Sequence, residues 1–155
     1  MDKRLGNYFW LREFLRSEKA SRMGRVIEEP SPAIITELGY LVGMVLDPLR
    51  KELGTPITII SGYRPLWLNS AVGGSKKSDH MFGRAADIIV AGKKNADVCR
   101  LVKKLKLPIK QCILEFPPNG WVHLSIMPLG EEPKREFLTA TKSGKTTVYS
   151  LGINA

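Results

Sequence analysis

Histidine and cysteine are scarce in this chain, with two of each among 155 residues. Cys99 and Cys112 lack the close spacing of a zinc pair, and two thiols are too few for a disulfide scaffold. They read as ordinary buried, reduced thiols, one on a helix and one on a strand. Acidic side chains are also in short supply, 15 against 24 lysines and arginines, which leaves a net charge of +9. Such a charge suits a polyanionic partner. The lysines, however, fall in short pairs (Lys76-Lys77, Lys93-Lys94, Lys103-Lys104), and no base-reading helix or aromatic-basic motif accompanies them, so a specific nucleic-acid role is not expected. No window approaches the roughly 18 consecutive apolar residues of a membrane span. In the opening MDKRLGNYFWLREFL, Arg12 and Glu13 interrupt the apolar run before a signal-peptide core can form. Neither a transmembrane segment nor a secretory leader is expected, and the chain should be made in the cytoplasm.

Hydrophobic residues make up 43% of the chain, without low-complexity tracts or repeats, which excludes wholesale disorder. The length suits one domain over residues 1–155. Its order of elements is α+β. Phe9, Trp10, Phe14 and Leu15 should pack an N-terminal hook on the core. Ser31-Pro32 form an N-cap and first-turn pair, and apolar residues at positions 34, 35, 38, 41, 42, 45, 46 and 49 keep helical spacing up to Gly54, with Pro48 as a kink or break. Strands are expected at Ile57–Ile60, Ala85–Val90, Gln111–Phe116 and Trp121–Ile126, and helices at PLWLNSAV and Asn95–Lys106. VGGSKKS is a loop and PPNG a turn. Residues 134–155 suggest a hairpin around Ser143-Gly144 or a tail. With no His, Cys or Trp and one acid, Glu136, that segment should have no chemical role. The sum is a small, mainly antiparallel sheet with helices packed against it.

The chemistry gathers at strand ends and loop mouths. SDHMFGRAAD places His80 and Asp87 at either end of a segment in which Gly83 permits a bend and Ala85 and Ala86 withhold bulk. Catalytic zinc commonly takes three His, Asp or Glu ligands and leaves a fourth position for water. In GWVHLSI the strand period of two sets Trp121 and His123 on one face. An even hairpin register puts Glu115 on that same face, across from His123, where a carboxylate beside a metal could act as a general base.

Plainer readings stand beside these. A lone histidine is more often structural or at the surface, a strand-borne glutamate is more often solvated, and Asp87 could cap a turn. Favouring a site is the joint pattern, both histidines lying at strand ends of one expected sheet.

Ser78-Asp79-His80-Met81-Phe82-Gly83-Arg84-Ala85-Ala86-Asp87 matches the S-x-H-x-x-G-x-A-x-D signature, and Trp121 and His123 match the later W-x-H signature. Glu115 in ILEF and Arg64 in SGYRP complete four ordered motifs between Ile34 and Ile126. In these the chain resembles the zinc D-alanyl-D-alanine carboxypeptidase family, which includes phage L-alanyl-D-glutamate endopeptidases and has a hedgehog-type fold. The resemblance implies one zinc ion held by His80, Asp87 and His123. Glu115 would be the general base, and Arg64 would polarise the carbonyl or hold a substrate carboxylate. Ser78 would contact substrate or orient His80. Asp79 reads as solvated. Trp121 walls the cleft or, the preferred reading, packs under His123, and Tyr63 is equally double-edged.

The implied function is hydrolysis of peptidoglycan stem peptides, either as carboxypeptidase or as endopeptidase, by a monomeric, endolysin-like protein of phage or prophage. It would act at the bacterial wall after release or as part of a virion, its positive charge aiding adhesion to an anionic wall. The rival is an idle zinc-containing module of the same fold that binds wall or a protein partner. An intact Glu115 speaks against it, since a structural metal needs no base.

Overall fold

The computed structural model describes residues 2–154; Met1 and Ala155, the two ends of the expected 1–155 unit, lie outside it. Six strands form one sheet: β1 (Thr58–Ser61), β2 (Ala85–Ile89), β3 (Gln111–Glu115), β4 (Trp121–Ser125), β5 (Glu136–Ser143) and β6 (Thr146–Leu151). Their spatial order is β1-β2-β4-β3-β5-β6. Every neighbouring pair is antiparallel except β3 and β5, which run parallel. The α+β reading and the mainly antiparallel sheet therefore stand, with strand bounds within a residue or so of those expected.

The pleat divides this sheet by chemistry, because successive side chains point to opposite faces. Ala86, Ile88, Cys112, Leu114, Val122 and Leu124 belong to the main buried cluster together with the helices. Asp87, Ile113, Glu115, Trp121 and His123 occupy the alternate positions and share the other face. A helix, α4 (Asn95–Lys104), after the short α1 (Glu18–Arg22), long α2 (Pro32–Leu53) and α3 (Leu66–Ala71), covers the first face with Val98, Cys99 and Val102. Both cysteines are buried and free, as expected.

In α2, Ser31 accepts a hydrogen bond from the Ile34 N–H, Pro32 opens the first turn, and Gly54 ends the helix at φ 68. The helix runs on through Pro48 without a break. One turn before it, Val42–Leu46, is wound as a π-helix, and that wider hydrogen-bonding frame accommodates a proline lacking its N–H. By length and composition α2 could cross a membrane, its most apolar 18 residues having a mean hydropathy of 1.3. In this fold its Leu38, Leu41, Leu46 and Leu49 are wholly buried in the main cluster, each contributing about 1.5–3 kcal/mol.

The N-terminal hook packs with Phe9 and Phe14 buried edge to face, 6.1 Å between centroids. It is tied to α2 by Asp47, whose carboxylate accepts from the Asn7 N–H at 2.8 Å and the Tyr8 N–H at 3.3 Å. Leu15 is half-buried beside them. Trp10 departs from expectation: it is 39% exposed, beneath the Arg4 guanidinium. Positions three apart share a side of the 3₁₀ turn Leu11–Leu15, so Leu11 and Phe14 point inward while Trp10 and Glu13 remain outside. β5 and β6 form an edge hairpin, anchored to β3 where Gln111 donates to Glu136 at 2.6 Å and closed on itself where Thr139 donates to the Gly152 carbonyl at 2.8 Å.

Candidate active site

His80 lies on the 3₁₀ turn Asp79–Phe82, which is capped at both ends. Ser78 Oγ accepts from the His80 N–H at 3.3 Å, so this serine orients the turn that carries the histidine. At the other end Gly83 takes φ 73, and a Cβ there would come within 2.7 Å of the Ile34 carbonyl oxygen of α2. The glycine thus serves both the bend and a close backbone approach. The His80 ring is fixed through Nδ1, 2.8 Å from the Gly62 carbonyl; Nδ1 is the protonated nitrogen there, and Nε2 is left with its lone pair. That Nε2 is buried without a hydrogen-bond partner among the described residues.

Asp87 and His123 stand opposite each other on β2 and β4. His123 Nδ1 lies 2.9 Å from one Asp87 oxygen, and His80 Nε2 lies 3.4 Å from the other. The three donor atoms fall within 4.8 Å of one another. Donors about 2 Å from one zinc ion are separated by no more than about 4 Å, so little movement is needed to seat one. Two imidazoles, one carboxylate and an unpartnered buried nitrogen make a donor set that fits zinc. Burial pushes the Asp87 carboxyl up, but the two imidazoles outweigh it and hold the group well below the usual carboxylate range. Burial also pushes His80 down, against the pull of Asp87, which keeps the ring in the neutral form a ligand requires.

Glu115 shares the face of His123 but not its row. The residue opposite His123 is Ile113, and Glu115 pairs with Trp121. The expected register was two residues off because Phe116 leaves the strand at φ 50 and joins the turn, closed by the Gly120 N–H on the Phe116 carbonyl at 3.1 Å. A slip of two preserves the face, so the carboxylate stays on the site side, diagonal to His123. Burial raises the Glu115 pKa, opposed by His123 and aided by the Asp87 charge.

Arg64 is held by its surroundings. Its Nε donates to Ser61 at 3.3 Å and its Nη1 to Asn69 at 3.3 Å, while Nη2 is 3.7 Å from Asp87. Asn69, itself buried, donates onward to the Ser75 carbonyl at 2.9 Å. A side chain at Gly74 would collide with the Asn69 oxygen, so this loop can close over Arg64 only with glycine there. Asp79 is not solvated: it pairs with Lys110 at 2.7 Å, both side chains largely buried, as its turn packs beside the start of β3. Trp121 lines the cleft and packs its ring on Phe116, 5.5 Å between centroids, which fits the wall reading. Tyr63 packs among core side chains.

Arg64, His80, Asp87, Glu115 and His123 open into one cleft of about 410 Å³, whose walls also include Tyr149 of β6. The C-terminal hairpin, given no chemical role from sequence, therefore reaches the site. A larger depression, about 830 Å³, lies near Lys93, Asn95 and Pro117, and its one acid, Asp97, is paired with Arg100 at 3.1 Å. The chemistry is in the smaller cleft. Sequence reasoning missed Gly62, Asn69, Lys110 and Tyr149. Alternation in TTVYSL put Tyr149 on one face of a strand, but only the pairing of β5 with β3 turns that face to the cleft.

Two imidazoles and a carboxylate around an unpartnered nitrogen, with a half-buried glutamate on the same face, define a candidate metal centre equipped for hydrolysis. The chain belongs to the Peptidase M15 family, which matches it over residues 7–125. It is also similar to the zinc D-Ala-D-Ala carboxypeptidase of Streptomyces albus G, 46% identical over 44 residues. That stretch takes in 28% of this chain and 17% of that protein's length. β5 and β6 lie beyond the family match.

Proposed function

We propose that the protein is a zinc-dependent peptidase that hydrolyses peptide bonds in bacterial peptidoglycan stem peptides, one zinc ion being held by His80 Nε2, Asp87 and His123 Nδ1. The observation that carries this reading is the buried, unpartnered Nε2 of His80 facing Asp87, with Glu115 on the same sheet face. Bound zinc would supply Lewis-acid activation of water and of the scissile carbonyl. Glu115 takes a proton from the attacking water as the new C–O bond forms, and returns it to the departing amine nitrogen as the C–N bond breaks. Its burial-raised pKa suits a group that must both accept and release a proton.

Arg64, pre-set by Ser61 and Asn69, holds a substrate carboxylate or polarises the carbonyl. Ser78 acts through the turn it caps. The relative named for D-Ala-D-Ala supports a stem-peptide substrate. The cut bond is D-alanyl-D-alanine or L-alanyl-D-glutamate. We take the source as phage or prophage, and the place of action as the bacterial wall, reached after release or within a virion, with the +9 charge aiding adhesion.

The test is digestion of purified peptidoglycan with mass spectrometry of the new termini. The parent should release defined stem-peptide termini, and Glu115→Gln should lose about 100- to 10,000-fold in rate while keeping zinc. Tight wall binding by a parent that hydrolyses nothing would instead mark an idle binding module.

A further inference from the structure

The cleft has a wall that the metal donors and Glu115 do not use. Register places Trp121, Glu115, Ala140 and Tyr149 in one row across β4, β3, β5 and β6. Paired residues point to the same side of a sheet, so Tyr149 rises on the face of Glu115. Between them stands Ala140, whose full burial means that it is covered and offers no surface to a ligand. The groups of this row that reach the cleft are Trp121 and Glu115 on one side and Tyr149 on the other. Tyr149 is 55% exposed and lines the cleft, although its strand is at the sheet edge. Burial and the nearby Glu115 charge raise its pKa, keeping the phenol a neutral donor.

We infer that Tyr149 is a substrate-positioning residue, and that the peptide substrate runs along the cleft from the metal donors past Glu115 to Tyr149 on β6. This rests on the peptidase reading above. Adjacent strands are about 4.8 Å apart, so the Glu115 and Tyr149 backbones are separated by about 10 Å. An extended peptide covers about 3.5 Å per residue, and the tyrosine therefore meets the substrate one to three residues beyond the cut bond. Glu115 hands its proton to the departing amine, which puts the leaving portion on that side. The ring offers a flat apolar surface and its hydroxyl a hydrogen bond to a backbone carbonyl or a carboxylate of that portion.

The test is calorimetric binding of a synthetic peptide containing both the L-alanyl-D-glutamate and the D-alanyl-D-alanine bond. The protein is zinc-loaded Glu115→Gln, which should hold the peptide without cutting it. Adding Tyr149→Ala should weaken binding about tenfold or more, and adding Tyr149→Phe, which retains the ring, about two- to tenfold. The phenylalanine variant removes one hydroxyl and keeps the question open to decision if the alanine variant folds poorly. Affinities within twofold for all three proteins, or no binding by Glu115→Gln itself, would overturn the role of Tyr149. Tyr149-dependent binding by a protein whose parent hydrolyses nothing upholds this inference and sinks the peptidase reading alone.

Discussion

His80 turns its Nδ1 to the carbonyl of Gly62 at 2.8 Å, and this one hydrogen bond decides which nitrogen of the ring is free. The free Nε2 is buried and unpartnered, a costly state for a polar atom unless something binds there. The protein as isolated should carry about one equivalent of zinc. His123→Ala and Asp87→Asn should each lose most of it, as elemental analysis would reveal; full retention by either variant removes that residue from the ligand set.

An ion that binds the folded chain and not the unfolded one stabilises it by mass action. At a free zinc concentration about 1,000 times Kd the gain is about 4 kcal/mol, which for a chain of this size raises Tm by roughly 10 °C. Melting curves with and without a chelator should differ by that order, and His123→Ala should show little difference. Coincident curves for the parent would remove the ion as a structural tie.

Glu115 makes a prediction about acid. Burial raises its pKa, and a base must be deprotonated to act, so the acid limb of kcat/KM should lie above the ordinary glutamate range. Lys142 pulls that pKa down, and Lys142→Ala should move the limb to higher pH. Stability has the opposite sense from that of a salt-bridged carboxylate. With the folded pKa above the unfolded one, the folded chain holds this proton more tightly, and the contribution is present at low pH and lost as pH rises through the folded pKa. At neutral pH, Glu115→Gln should therefore melt at or above the parent temperature, and a clear drop would show that the carboxylate has a structural partner.

Asn69 aims Arg64, so its loss should be felt in substrate binding. Asn69→Ala leaves the Ser75 carbonyl without its donor and should cost about 1–3 kcal/mol of stability. With Arg64 released, KM should rise more than kcat falls. An unchanged KM in a folded variant would mean that Arg64 needs no such support.

Local chemistry made much of this protein legible in its sequence. Ser31-Pro32 and Gly54 bound α2 because capping and left-handed geometry are properties of a few adjacent residues. The pleat period put Trp121, His123 and Glu115 on one face, and that survived an error in register because a slip of two leaves the face unchanged. His80, Asp87 and Gly83 were readable together because their bend is local. Contacts between segments distant in the chain were not. The Gly62 carbonyl at His80, the Asn69 brace on Arg64, the Lys110 partner of Asp79 and the exposure of Trp10 depend on which segments pack together, and residue type does not encode that. The parallel pairing of β5 with β3 is the largest such decision. It sets the hairpin beside Glu115 and brings Tyr149 to the cleft, a placement settled by long-range backbone hydrogen bonds and not by any pattern within TTVYSL.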